Sequence, residues 1–411
     1  MSARVAITGL GPITAAGTGV DGLWRGLQAQ VSPVETITSF DTSPWRTHFA
    51  AQVDDFRAED HMDQRTARRL DRYSQFAIAS AGLALADADL AASDLDPDRV
   101  AVYVGSALGG VAHAERQVVK FLEGGVRAVD PRVALHTFCG AASCNVAIRF
   151  GFTGPNSTNA MSCASGTIAL GEAWRSIRSG EADAAIAAGV EAPLSPLSFG
   201  AFAIIRAMSA RNDDPAAACR PFDIDRDGFV MGEGACALVL ERWADAEARG
   251  ARIYGEICGF GLTNDAHHMT APRPDGAQAA RAIRRALQTA DVSAADVGVV
   301  SAHGSSTPLN DPTETRAIRT ALGAHAESAA VLGTKAYHGH ALGASGAIEA
   351  AIALLAMHRR WLPPTLNLDR PDPACDLDYV SAGGRSTRAT VALSNSFGFG
   401  GINGAIVLRA A

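Results

Sequence analysis

Lysine is almost missing from this chain. Of its 36 basic residues only Lys120 and Lys335 are lysines, and the other 34 are arginines. A bias of that kind, as a GC-rich genome imposes, uses arginine wherever either residue would serve. A lysine kept against it marks a place that needs a compact, flexible ammonium. Paired cysteines are missing as well. The seven cysteines (139, 144, 163, 219, 236, 258 and 375) are odd in number and irregularly spaced, with no CxxC pair. That argues against a disulfide framework and a metal site, and for reduced thiols in a cytoplasmic protein. No apolar run is long enough to span a bilayer; AIEAAIALLAM is broken by Glu349. The opening MSARVAITGLG reads as a strand and turn, not a signal peptide. A net charge of −7 leaves no basic surplus for nucleic-acid binding.

Small and apolar residues fill the space instead. The chain is 47% hydrophobic, only 6% aromatic, and carries 41 glycines, which suits a close-packed α/β enzyme. At 411 residues it is too long for one simple core and implies two packed halves, 1–250 and 251–411, in one compact unit. Strand-like and helix-like segments alternate throughout. In the first half, strands are expected at 4–11, 99–110 and 182–192, helices at 71–90 and 163–180, and a turn with a hairpin strand at 228–242. The second half repeats the order: strands at 252–261 and 297–307, helices at 276–290 and 341–360, and a closing strand pair at 390–409. Long loops are expected only at 263–276 and 111–160. The stretches ASGTI and ASGAI begin at 164 and 344, 180 residues apart, and GACALVLER is echoed by NGAIVLR. A duplication would set the two ASG helices centrally, against each other, with small residues at the contact.

Cys163, in MSCASG, sits where a strand turns into a helix. Unpaired N–H groups and the helix dipole favour a thiolate there and can hold an oxyanion. The alternative is a buried structural cysteine, which is the reading for Cys236 and Cys258 inside strand patterns. His303 ends the apolar strand VGVVSAHG, where ligands of α/β sheets gather, and the hydroxyl-rich SSTPLND follows. His340, in KAYHGHALGASG, falls near the place in the second half that Cys163 holds in the first. His338 is expected to point away in an extended segment and to be structural. Lys335 shares this stretch. SNSFGFGGING, with glycines at 398, 400, 401 and 404, lacks the lysine and hydroxyl of a phosphate loop and reads as a mobile gate with N–H donors, or as a plain hairpin turn. Arg65, Arg68, Arg69 and Arg72 form a charge run that is either a solvated helix face or a dock for an acidic partner.

The motifs MSCASG, AHGSSTPLND, KAYHGHALGASGAIEA and SNSFGFGGING, in this order and with RPFDIDRDGFVMGEGACALVLE between them, resemble the β-ketoacyl-acyl-carrier-protein synthases. The likeness is to the class II condensing enzymes of fatty-acid and type II polyketide synthesis and covers essentially the whole chain. The resemblance implies a thiolase-like, duplicated five-layer α-β-α-β-α fold and a dimer, either of identical chains or with a ketosynthase-like chain-length factor. It implies that Cys163 takes an acyl chain from acyl carrier protein as a thioester. His303 and His340 would promote decarboxylation of malonyl-carrier protein and steady the enolate. Cys163 and Phe399 would give the oxyanion-hole N–H groups, with Phe399 also the gate. Lys335, paired with Glu314, would tune the histidines, with Asp311 and Glu349 in support. Thr270, Ser305, Thr307, Gly398 and Gly400 match positions around the phosphopantetheine arm and substrate, and Leu108 a pocket-lining position. Arg65, Arg68, Arg69 and Arg206 match the carrier-protein docking surface. No bound cofactor is implied, because phosphopantetheine arrives on the carrier protein.

The sequence departs from the family pattern in places. Ser162 stands where alanine or glycine is commoner, Ser305 where threonine is usual, and Ala271 lacks a hydroxyl sometimes found there. Tyr337, His338 and the segment HTFCGAASCN (136–145) also differ, which suggests a pocket for an unusual acyl chain, long or polyunsaturated. A thiolase would carry a second cysteine near the C-terminal glycine turn. A class III synthase would have asparagine in place of His340. A non-catalytic chain-length partner would lack Cys163.

Overall fold

The structure, a computed structural model, describes residues 3–411; Met1 and Ser2 of the opening stretch lie outside the described residues. Strands β1 (Val5–Thr14), β2 (Val100–Gly105), β3 (Asn156–Asn159), β4 (Ala184–Glu191) and β5 (Gly234–Arg242) belong to the first half. β6 (Gly255–Asn264), β7 (Val299–Ser301), β8 (Ala330–Leu332), β9 (Asp378–Tyr379), β10 (Val391–Gly398) and β11 (Ile402–Ala410) belong to the second. The spatial order is β3-β2-β4-β5-β1 in one half and β8-β7-β10-β11-β6 in the other, with β9 outside β8. In both, the first two junctions are parallel and the last two antiparallel. The same chain order and the same strand directions occur twice, so the duplication suggested by the ASG repeat is a property of the fold. The halves join where Val5–Ile7 of β1 pair with Gly255–Ile257 of β6.

Helices complete five layers. Helix α1 (Arg72–Asp87) covers the outer face of the first half, with α2 (Ala141–Phe150) beside it. α3 (Ser165–Ser179) lies inside. On the far side α4 (Ala277–Ala290) and α5 (Asn310–Leu322) form the outer layer, and α6 (Ser345–His358) lies inside against α3. The two inner helices touch strands of both halves. α6 is buried from Ser345 to Met357, and its only charged residue along that length is Glu349. A helix that is apolar all round is a core helix. This is the thiolase-like α-β-α-β-α arrangement.

Glycine sets how closely the outer layers approach. A Cβ at Gly9 of β1 would fall 2.1 Å from the carbonyl oxygen of Ala84 in α1. In the other half a Cβ at Gly261 of β6 would fall 2.0 Å from that of Ala282 in α4. Any side chain there would push helix from sheet.

Three expectations change. Residues 111–160 are not a loop: they form a helix at Val111–Gly124, the short helix Val133–Thr137, α2 and β3. The first of these exposes Val118, Val119, Phe121 and Leu122, so its apolar residues do not mark a buried stripe within one chain. The strand at 234–242 is no hairpin: β5 pairs with β1 and β4, both far away in sequence. Residues 335–338 form one helical turn rather than an extended segment, ended by Gly339 at φ 66°. Among the described residues no helix is long and apolar enough to cross a membrane.

Candidate active site

Cys163 lies in the 3-10 turn Ser162–Ala164 that leads into α3. The turn begins with Ser162 at φ 52°, a left-handed conformation that reverses the chain out of β3. The second half repeats it at Leu342–Ala344, with Leu342 at φ 41°, leading into α6. Cys163 Sγ is 3.1 Å from His340 Nε2, and His340 Nδ1 is 3.0 Å from Ser345 Oγ, at the start of α6. The backbone of His340 is clamped: its N–H donates to Val230 O at 2.7 Å and its carbonyl accepts from Gly232 N–H at 3.0 Å. The imidazole facing the sulfur is therefore fixed at both ring and main chain.

His303 lies two residues beyond the carboxyl end of β7. Its ring centroid is 5.2 Å from that of His340, and the two rings are nearly perpendicular. Lys335 Nζ is 3.5 Å from His303 Nδ1 and also donates to the His303 carbonyl and to Glu349. An ammonium has no lone pair to offer, so Nδ1 is the acceptor and the imidazole proton sits on Nε2. Burial, helped by the charge of Lys335, holds both His303 and His340 well below the ordinary histidine range. Both rings are neutral at neutral pH and can donate a hydrogen bond without carrying charge.

Glu314 does not pair with Lys335 as expected. Its carboxylate accepts the N–H groups of His303 at 2.7 Å and Gly304 at 2.8 Å, and the side-chain amides of Asn310 and Asn395 at 3.3 Å. Lys335 pairs instead with Glu349 of α6, the carboxylate its ammonium can reach from the 335–338 turn. Burial raises both Glu314 and Glu349 to about 7. Asp311 accepts from Phe222 N–H at 2.8 Å and lies 3.6 Å from Arg226, so it braces the 220–226 segment rather than the reacting groups.

Cys163, His303 and His340 open into one cavity of about 310 Å³. Thr270, Ser305, Thr307, Arg206, Gly398 and Phe399 line it too. The Phe399 N–H is close enough to favour charge on Cys163 Sγ, and a Cβ at Gly398 would fall 3.1 Å from Cys163 N, so the glycine turn lies directly against the thiol's own amide. Burial pushes the Cys163 thiol up; the Ser162 hydroxyl, the Lys335 charge and the Phe399 N–H pull it back. The expectation that the helix start alone would favour thiolate is thus corrected: desolvation dominates, and His340 is the adjacent proton acceptor. This cluster can form a thioester and hold an oxyanion beside two neutral imidazoles.

Residues 2–246 match the sequence model of the beta-ketoacyl synthase N-terminal domain, and 254–369 that of the C-terminal domain.

The chain belongs to the β-ketoacyl synthase family.

This synthase is 45% identical over 400 residues to a 3-oxoacyl-acyl-carrier-protein synthase 2 of Synechocystis sp., covering 97% of this chain and 96% of the relative. Among solved structures it is similar to AntDE:AntF, a type II PKS acyl-carrier protein in complex with its ketosynthase bound to the hexaketide (TM-score 0.93, 36% identity, 100% of both chains). It is also similar to the ishigamide ketosynthase/chain length factor (TM-score 0.93, 34% identity, 100% of both chains).

Leu108 and Gly400 of the synthase are not on the cavity wall. Leu108 sits in the turn after β2, its N–H donating to Glu191 at 3.1 Å. Gly400 donates to Met269 O at 2.7 Å and accepts from Asn264. Arg65, Arg68 and Arg69 are exposed on and just after the single helical turn Gln64–Ala67. Arg69 lines a separate open depression with Lys120 and Arg132. Arg206 is at the active-site cavity. Arg72, fourth in that charge run, is instead bound to Glu233 at 2.7 Å. His338 is fully buried against Thr334, as a structural histidine.

Sequence reasoning missed Glu191 and the Asp265–Asn403 pair. Glu191, at the end of β4, accepts from Ser106 Oγ, Ala107 N and Leu108 N, and from Gly343 N in the second half. Its signal was a carboxylate closing an otherwise apolar strand pattern. Asp265 accepts from Asn403 at 2.8 Å and from Arg273 N–H at 2.8 Å, tying the 264–273 loop to the glycine turn. Only the structure brings this pair together.

Proposed function

We propose that the synthase elongates an acyl chain by two carbons through decarboxylative Claisen condensation. The observation that carries this is Cys163 Sγ at 3.1 Å from His340 Nε2, with His303 beside it and Phe399 on the same wall, all in one cavity. Cys163 gives its proton to His340 and attacks the thioester of acyl-carrier protein; the acyl–sulfur bond to the arm breaks, His340 passes the proton to the departing sulfur, and the arm leaves as a thiol. Malonyl-carrier protein then loses carbon dioxide; the enolate oxygen takes hydrogen bonds from His303 Nε2–H and from His340 in the tautomer that carries its proton on Nε2 and accepts the Ser345 hydroxyl at Nδ1. The carbanion attacks the acyl-Cys163 carbonyl, whose oxygen rests on the N–H groups of Cys163 and Phe399, and the C–S bond breaks to free Cys163. Thr270, Ser305 and Thr307 supply hydroxyls for the phosphopantetheine arm, which comes with the carrier protein, so no resident cofactor takes part. The setting is the cytoplasm.

A second reading places the same chemistry in a specialised type II polyketide pathway, with a chain-length factor as dimer partner. It is favoured by the likeness to the AntDE:AntF and ishigamide proteins and by the exposed Val118, Val119, Phe121, Leu122 and Ile148, an apolar surface that suits a second similar subunit, identical or paralogous. The departures at 136–145 support a long or polyunsaturated chain there.

Intact-mass analysis with candidate acyl-carrier proteins tests the chemistry. Wild type gains one acyl group, and Cys163→Ala gains none. His303→Ala keeps acylation and loses decarboxylation of malonyl-carrier protein. An adduct on Cys163→Ala, or none on wild type with any donor, would overturn the mechanism.

A further inference from the structure

The turn that carries the nucleophile exists twice, and the comparison isolates one side chain. Ser162 and Leu342 open the two copies, 180 residues apart, both with left-handed backbones at φ 52° and 41°. The conformation therefore belongs to the turn, not to the hydroxyl. Glycine would meet it without strain, yet neither copy uses glycine. The next residue is Cys163 in one copy and Gly343 in the other. Where there is no sulfur, the preceding side chain is a buried leucine; where there is one, it is a serine.

The serine's geometry is specific. Ser162 Oγ is 3.7 Å from Cys163 Sγ, within reach of a large sulfur acceptor. Its carbonyl accepts from Ser165 Oγ at 2.7 Å, and its Cβ is 3.3 Å from where a Cβ on Gly398 would lie. The main chain is thus pinned and the hydroxyl stays beside the sulfur. Between a thiol and a hydroxyl either can donate; once the sulfur is a thiolate only the hydroxyl can.

We propose that Ser162 is a further catalytic residue of this synthase, its O–H donating to Cys163 sulfur whenever that sulfur carries charge. The assignment rests on the reading of Cys163 as the acyl-accepting nucleophile. The hydroxyl acts twice in the cycle. It steadies the thiolate formed when the Cys163 proton passes to His340. It steadies the thiolate again when the acyl–sulfur bond breaks after carbanion attack and the electron pair returns to Sγ. In the thioester between those steps the sulfur is a weak acceptor and the interaction fades, so the serine favours both the attacking and the departing thiolate. The other charged or titratable groups around the sulfur are His340, His303, Lys335 and Glu191. Burial raises the thiol, and the Ser162 contact is the strongest influence opposing it.

The test is alkylation of Cys163 by iodoacetamide as a function of pH, read by peptide mass with Cys163→Ala as the blank. It needs no carrier protein. Ser162→Ala keeps the Cβ and loses the hydroxyl; Ser162→Gly loses the hydroxyl and relieves the backbone. Both are expected to move the alkylation midpoint up by about half to one pH unit, slowing labelling near neutral pH roughly three- to tenfold. Profiles coinciding with wild type would overturn the proposal. So would a shift in only one variant, which would trace the effect to backbone conformation. Failure of wild type to take an acyl group from any carrier protein would instead overturn the condensing reading, so the two failures are distinguishable.

Discussion

Lys335 and Glu349 form an ion pair with neither side chain exposed: both are 0% accessible at the centre of the molecule. Lys335 is one of only two lysines in a chain that otherwise uses arginine, and its neighbours explain why. One compact ammonium serves Glu349, the His303 carbonyl and His303 Nδ1 together. A planar guanidinium needs more room and a different fan of acceptors.

Removing Lys335 leaves the buried Glu349 carboxyl and the His303 carbonyl without the ammonium that satisfies them. Lys335→Ala should cost about 3–5 kcal/mol of stability, seen as a large drop in thermal midpoint. The double variant Lys335→Met with Glu349→Gln should recover much of that loss while remaining inactive. A double variant no more stable than the single one would show that the pair acts through packing, not charge.

Charge reversal tests the carrier-protein docking expected of the exposed arginines. Reversing Arg65, Arg68 and Arg69 to Glu should leave folding unchanged, because surface charges contribute little to stability. It should raise KM for an acidic acyl carrier protein about tenfold with kcat nearly constant, and flatten the dependence of kcat/KM on ionic strength. Unchanged KM at low salt would move docking elsewhere, with the depression of Arg69, Lys120 and Arg132 and the cavity-side Arg206 next to be tested.

His338 sets a pH dependence of stability. Burial lowers it from 6.5 to about 3. Its folded form stays neutral while the unfolded chain takes up a proton below 6.5, so its contribution is full above 6.5 and is lost as pH falls from there towards 3. The slope is up to about 1.4 kcal/mol per pH unit. His338→Gln removes the titration. The difference in thermal midpoint, variant minus wild type, should therefore grow more positive as pH falls from 6.5 to 4. A constant difference across that range would mean that His338 is not held neutral.

The order of strands and helices, the duplication, and the cluster of Cys163, His303 and His340 were legible because each lies in a local pattern: an apolar run, a repeated ASG, a residue at a strand or helix end. What was not legible depends on contacts between segments far apart in sequence. Whether Lys335 takes Glu314 or Glu349 is decided by which carboxylate the packing of α6 brings to it, and spacing along the chain carries no such information. Leu108 falls off the cavity because Glu191 holds its turn, and that carboxylate is visible in sequence only as a charge ending an apolar strand. The helix at 111–124 does have an amphipathic pattern in the sequence; what the sequence does not show is that its apolar residues stay exposed in the single chain.

The glycine turn that carries Phe399 is held by one of these distant contacts. Asp265 accepts from the Asn403 side chain and the Arg273 N–H, and its own N–H donates to Gly401 O at 2.7 Å. The loop 264–273, which carries Thr270, and the turn 398–403, which carries Phe399, therefore form one hydrogen-bonded body. Phe399 is held over the site from the other side by stacking on Phe202, with ring centroids 6.2 Å apart. Asp265→Ala removes both of its side-chain contacts and leaves its own main-chain bond together with the bonds of Gly400 to Met269 O and from Asn264, so the turn is loosened rather than freed and Phe399 should spend more time away from Cys163 and admit water to its thioester. The acyl-enzyme, formed from acyl-carrier protein and followed by intact mass without malonyl donor, should lose its acyl group several-fold faster than wild type, while the rate of its formation changes little. Phe202→Ala, acting from the opposite side of the ring, should shorten the lifetime in the same sense. An acyl-enzyme as long-lived in both variants as in wild type would count against Phe399 acting as a gate held by these contacts.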